Sequence, residues 1–163
     1  MRIVIALVLV LLSGCAAETQ ISDVPAVHNT EIFTASTDRT WKALVETLAE
    51  DSYPIQAIEK ESGLITTDFV SVAGPSTTFL REISNSSCGL CSFSRVRYSL
   101  SCYVSESGPN TTRVKLKAHV EGFERLWAGD WRVLESSGGI EKKVLDSMRE
   151  RIQAAHDSPP ANR

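Results

Sequence analysis

Residues 96–120 read VRYSLSCYVSESGPNTTRVKLKAHV, and this stretch decides the fold. Val96, Tyr98, Leu100, Cys102 and Val104 alternate with Arg97, Ser99, Ser101 and Tyr103. After Glu106-Ser107-Gly108-Pro109-Asn110, the residues Val114, Leu116, Ala118 and Val120 alternate with Arg113, Lys115, Lys117 and His119. A period of two marks a strand, because successive Cβ atoms point to opposite faces. Gly, Pro and Asn between the two runs mark a turn. The stretch therefore predicts a long antiparallel hairpin with one buried face and one wet face.

Working outward, Ile55 to Glu59 and Leu64 to Val70 flank Lys60-Glu61-Ser62-Gly63 and predict a second hairpin. Residues 30–35 supply a further short strand. Trp41, Leu44, Val45 and Leu48 fall at i, i+3, i+4 and i+7, the apolar side of an amphipathic helix. Thr37 is positioned to cap it, Asp38 suits its first turn, and Tyr53-Pro54 ends it. A second helix opens near Gly138-Gly139 and continues through Ile140, Val144, Leu145, Met148 and Ile152, with Lys142, Lys143, Arg149 and Glu150 toward water. Residues 71–94 read as a long loop. The order β-α-β-β-β-β-α predicts an α+β domain over 31–156, an antiparallel sheet with two helices packed on one face.

One resemblance rests on these elements. Thr37-Asp38-Arg39-Thr40-Trp41-Lys42-Ala43-Leu44, then Tyr53-Pro54-Ile55, then Glu59-Lys60-Glu61-Ser62-Gly63-Leu64-Ile65-Thr66-Thr67 resemble the helix-then-hairpin opening of lipoprotein domains related to BamC. The resemblance covers residues 31–70 and continues beyond them only as element order. It implies a helix-grip fold and a role as an outer-membrane lipoprotein accessory to the insertion of β-barrels.

The chain begins Met1-Arg2, followed by ten apolar residues, Ile3 to Leu12. Ten are too few to span a bilayer, which takes about 20. A positive start, a short apolar core and small residues afterwards are the pattern of a secretory signal peptide, 1–14. Leu12-Ser13-Gly14-Cys15 resembles the lipobox of bacterial prolipoproteins. The reading places cleavage between Gly14 and Cys15 and a diacylglycerol on the Cys15 thiol, with fatty acids such as palmitate as the anchor. Several acyl chains hold a protein to a bilayer where one does so only marginally. Ala16 follows the cysteine, where an Asp would resemble an inner-membrane retention signal; its absence points to the outer membrane, facing the periplasm. Residues 15–30 read as a lipidated tether and 157–163 as a frayed tail.

Loss of residues 1–14 removes one charged side chain, Arg2, and makes the formal net charge of −3 one unit more negative. An acidic chain of this size forms one domain, and it lacks the basic balance of a nucleic-acid binder.

Among chemical candidates the cysteines come first. Cys88-Gly89-Leu90-Cys91 has the C-x-x-C spacing of thiol oxidoreductases, but loop residues precede it and strand-like residues follow it, where redox sites place a helix N-terminus. The reading is a Cys88–Cys91 disulfide in an oxidising compartment, with Cys102 a buried thiol; a pairing of Cys102 with one loop cysteine stays open. His28, His119 and His156 are scattered, so no zinc set is expected and no cofactor. Glu121 and Glu124 read as solvated charge, and no nucleophile-and-base set is found. Trp127 and Trp131 either anchor a partner or close the edge of the core. Arg95, Arg97, Arg113, Lys115 and Lys117 give the hairpin a basic outer face, suited to acidic headgroups or a glycan or simply to water. The expected function is a non-catalytic, membrane-tethered module that binds outer-membrane or other envelope proteins. The alternative is a binder of a small apolar ligand or lipid, with Trp41, Leu100, Leu116 and Met148 lining a cavity.

Overall fold

The structure is a computed structural model and describes residues 28–85, 93–124 and 129–157. In chain order its elements are β1 (Thr30–Phe33), α1 (Thr37–Glu50), β2 (Ile55–Glu59), β3 (Leu64–Thr67), β4 (Val70–Ala73), α2 (Thr77–Ile83), β5 (Phe93–Gly108), β6 (Thr111–Glu124), β7 (Asp130–Leu134) and α3 (Gly139–Asp157). The protein is α+β: one seven-stranded antiparallel sheet with helices on one side.

The β5–β6 hairpin is its spine, with Leu100 facing Ala118 and Cys102 facing Leu116 across the pair. Burial alternates along β6 from Thr112 to Glu124, as the period of two requires. On the inner side Val96, Leu100, Cys102, Val114, Leu116 and Val120 join Leu44, Leu48, Val144, Leu145 and Met148 in one core. The predicted face of α3 meets the sheet, whereas that of α1 is rotated: Thr40, Ala43, Leu44, Thr47 and Leu48 are buried, and Trp41 and Val45 lie at the margin.

Two strands line each long edge of the spine, one after the other. Along β5, β3 pairs at Leu64–Tyr103 and β4 takes over at Val70–Tyr98. Asp68 and Phe69 interrupt the ladder, and the Thr67 hydroxyl accepts the Leu100 N–H (2.9 Å). Along β6, β1 pairs with 112–115 and β7 with 120–124. In the gap between them the Asn29 carbonyl accepts the Leu116 N–H (2.7 Å), and the Glu141 carboxylate accepts the Ala118 N–H (3.1 Å). Glu141 is 2% exposed, and its two carboxylate oxygens share the Ser136 hydroxyl as donor, at 3.0 Å each. A carboxylate enters the core here because it satisfies a strand amide that no neighbouring strand reaches.

Several expectations are corrected. The segment 71–94 is not a loop throughout: it carries β4 and the two-turn helix α2, capped by Ser76, whose hydroxyl accepts the Phe79 N–H (3.1 Å). The order among the described residues is therefore β-α-β-β-β-α-β-β-β-α, with three helices. The first helix is capped by Ser36 rather than Thr37. The first described strand, β1, starts at Thr30, within the stretch 30–35 expected to form a strand. Arg149 does not simply face water: it forks onto Glu31 (2.8 and 2.7 Å) and bonds Asp146 (2.6 Å), tying α3 to β1.

The β2–β3 turn explains one glycine. Gly63 has φ +70°, and a Cβ there would lie 2.1 Å from the Val104 carbonyl oxygen. Its own carbonyl accepts the Val104 N–H (2.8 Å), so the turn is pinned directly against β5.

Candidate functional site

Among the described residues no helix covers the outer side of the sheet, and its rows of side chains follow from register. Ala73, Arg95, Phe123 and Trp131 lie in one row across β4, β5, β6 and β7; Ser71, Arg97, Glu121 and Val133 lie in the next. The ladder break at Asp68–Phe69 adds the Phe69 ring to this surface.

These side chains form a stack. The Arg97 guanidinium lies 4.4 Å from the Phe69 ring centre and 4.1 Å from that of Trp131. Its Nε donates to Glu121 Oε2 at 2.6 Å, which holds the fork between the two rings. Arg95 lies 4.7 Å from the Phe123 ring centre and 5.6 Å from Trp131. Phe123 and Trp131 meet edge to face at 5.4 Å. His119 packs 5.9 Å from Phe69, and its Nε2 lies 2.9 Å from Glu121 Oε1. Cation–π contacts at exposed sites contribute about 0.5–1 kcal/mol each, enough to order long side chains against water. Beside the stack Val133 stands 69% exposed. The hydrogen bond with His119, helped by that from Arg97, holds the Glu121 carboxyl below the usual carboxylate range, while burial acts in the opposite direction. Glu121 is thus the charged hinge of the stack.

An ordered patch rich in Trp and Arg is suited to recognition, since such residues bring large contact area and lose little conformational freedom on binding. Trp131, of the two tryptophans singled out in the sequence, stands on this open side and not between sheet and helix. Trp127 lies outside the described residues, as do Gly14, Cys15, Cys88 and Cys91. Phe69 and Phe123 complete the stack and were not among the sequence candidates. The signal for Phe123 was its place in the outward phase of a strand.

The remaining candidates do not converge. Glu121 and Glu124 point to opposite faces: Glu124 is buried and pairs with Arg132 (2.9 Å). Cys102 is a buried free thiol whose pKa burial pushes up to about 12, so it is held in the unreactive protonated form. His28 and His156 are exposed at the two ends of the described fold. Among the described residues no three His, Cys, Asp or Glu side chains gather around a common point. Leu100, Leu116 and Met148 pack into the core, whereas Trp41 is partly exposed and lines a surface cleft of about 330 Å³ with Thr37, Lys60, Gly63 and Val104. Among the described residues no helix is long and apolar enough to cross a membrane.

No family model and no curated protein matches the chain. Among solved structures it is similar to a DUF4468 family protein from Bacteroides ovatus, at a TM-score of 0.38 and 11% identity, over 82% of this chain and 88% of that one.

Proposed function

We propose that this chain is a non-catalytic lipoprotein of the cell envelope, anchored through Cys15 to the outer membrane, that binds another envelope protein with the open side of its sheet. The observation that carries the binding surface is the Phe69–Arg97–Trp131 stack, ordered by Glu121 on the outer face of the sheet, away from the described helices. The lipobox Leu12-Ser13-Gly14-Cys15 and the resemblance to BamC-related domains support the location and the accessory role. A partner with an apolar knob beside a carboxylate fits a face that offers both ring surface and guanidinium N–H groups.

Cross-linking in intact cells followed by capture of the chain tests this reading. The native chain is expected to retain an envelope protein that a Trp131→Ala, Arg97→Ala double variant loses by tenfold or more, on the order of what loss of a binding hot spot costs. Equal recovery of the same partners by both forms would overturn the assignment of the surface.

A further inference from the structure

The same open face ends in a second, chemically different patch. Arg113, Lys115 and Lys117 share the outer side of β6, about 7 Å apart by strand geometry. Across the register they face Ser105, Tyr103 and Ser101 of β5, and β1 places Ile32 beside Arg113 and Thr30 beside Lys115. Tyr103 is 47% exposed and Ile32 55%. Among the described residues these three cations have no carboxylate within salt-bridge distance, whereas Arg97 is held by Glu121 and Arg149 by Glu31. One cleft on the helix side differs in sign: Glu46, Glu50, Asp51 and Glu150 surround it, with Arg151. The row on β6 thus carries local positive charge although the formal net charge of the chain is negative.

The first described residues meet the sheet at this row: Thr30 pairs with Lys115, and the Asn29 carbonyl accepts the Leu116 N–H. The segment 15–29 reaches at most about 50 Å fully extended, so this edge lies within reach of a bilayer that holds an acylated Cys15. Lysine suits such a neighbour: its ammonium is a hydrated point charge on a flexible stem, which meets diffuse anionic charge without a fixed geometry. Tyr103 and Ile32 add an amphipathic ring and an aliphatic group of the kind that sits at a membrane interface.

We propose that Arg113, Lys115 and Lys117, flanked by Tyr103 and Ile32, dock the domain on the anionic phospholipid headgroups of the membrane that carries its anchor. This rests on the lipid-anchor reading.

The test uses full-length protein purified from membranes and added to phosphatidylcholine vesicles, with or without roughly one third phosphatidylglycerol. A water-soluble amine-acylating reagent then labels lysines, which are read by peptide mass spectrometry. Labelling of Lys115 and Lys117 is expected to fall about fivefold or more on the anionic vesicles and to recover in high salt, with Lys42 and Lys142 on the helix side unchanged. Equal labelling of Lys115 and Lys117 on both vesicle types overturns the proposal. Protection by polyglutamate but not by anionic vesicles also overturns it and assigns the row to an acidic protein. The intact mass of the same preparation reports acylation at Cys15, so failure of the anchor reading is seen separately from failure of the docking row.

Discussion

The two faces of the β5–β6 hairpin share one backbone and differ in almost everything else. Inward, Leu100, Cys102, Val114, Leu116 and Val120 lie at or near zero exposure against α1 and α3. Outward, Arg97, Lys115, Lys117, His119 and Phe123 meet water, and what order they have comes from ion pairs and ring contacts. The inner face spends its side chains on stability, through apolar area removed from water. The outer face adds little stability, because exposed charge pairs and single rings contribute a few tenths to one kcal/mol. Composition on the outer side is therefore free to be chosen for recognition.

The largest expected effect breaks this contrast if it fails. Leu116→Ala is expected to cost about 2–5 kcal/mol in denaturant unfolding, while Lys117→Ala, one residue along the same strand, stays within about 0.5 kcal/mol. Comparable losses for the two would mean that the outer face is covered too. The next effect concerns Glu141, a buried carboxylate on the inner side. Glu141→Ala is expected to cost about 1–3 kcal/mol by leaving the Ala118 N–H without an acceptor, and to speed hydrogen exchange at that amide. Unchanged exchange at Ala118 would show that Glu141 does not hold the gap between β1 and β7.

The smallest effect belongs to the outer carboxylate. Its folded-state pKa is depressed, so the stability that Glu121 contributes is present above the ordinary carboxylate pKa and is lost as pH falls through the depressed value. In His119→Ala the carboxyl is expected to titrate higher, closer to its usual range, so the loss is smaller and is complete at a higher pH. Carboxyl-carbon NMR titration of both forms reads the shift, and an unmoved Glu121 would remove His119 from the stack.

The spine and both long helices were legible in the sequence because their patterns are long and regular. Alternation over residues 96–104 and 114–120 locates β5 and β6, and the apolar positions 140, 144, 145, 148 and 152 locate α3. The short elements were not. α2 has seven residues, too few for a helical period to stand out, and only its Ser76 cap marks it. β7 inverts the usual pattern: its outward residues are Trp131 and Val133, while inward Arg132 reaches the buried Glu124. An apolar-inside rule misreads such a strand. The stack itself was half visible, since Arg97 and Trp131 stood out singly. What brings them together is β7 lying beside β6 and the ladder break that presents Phe69, both long-range features that no local window contains.

Cys102 gives the molecule a built-in clock. Its sulfur lies on the inner face of the spine within the core, fully buried and protonated. An alkylating reagent can reach it only while the helical layer is lifted from the strands, so the rate of that reaction counts excursions between closed and open forms of the domain. Docking on a bilayer or clasping a partner would slow the count without any contact to the sulfur.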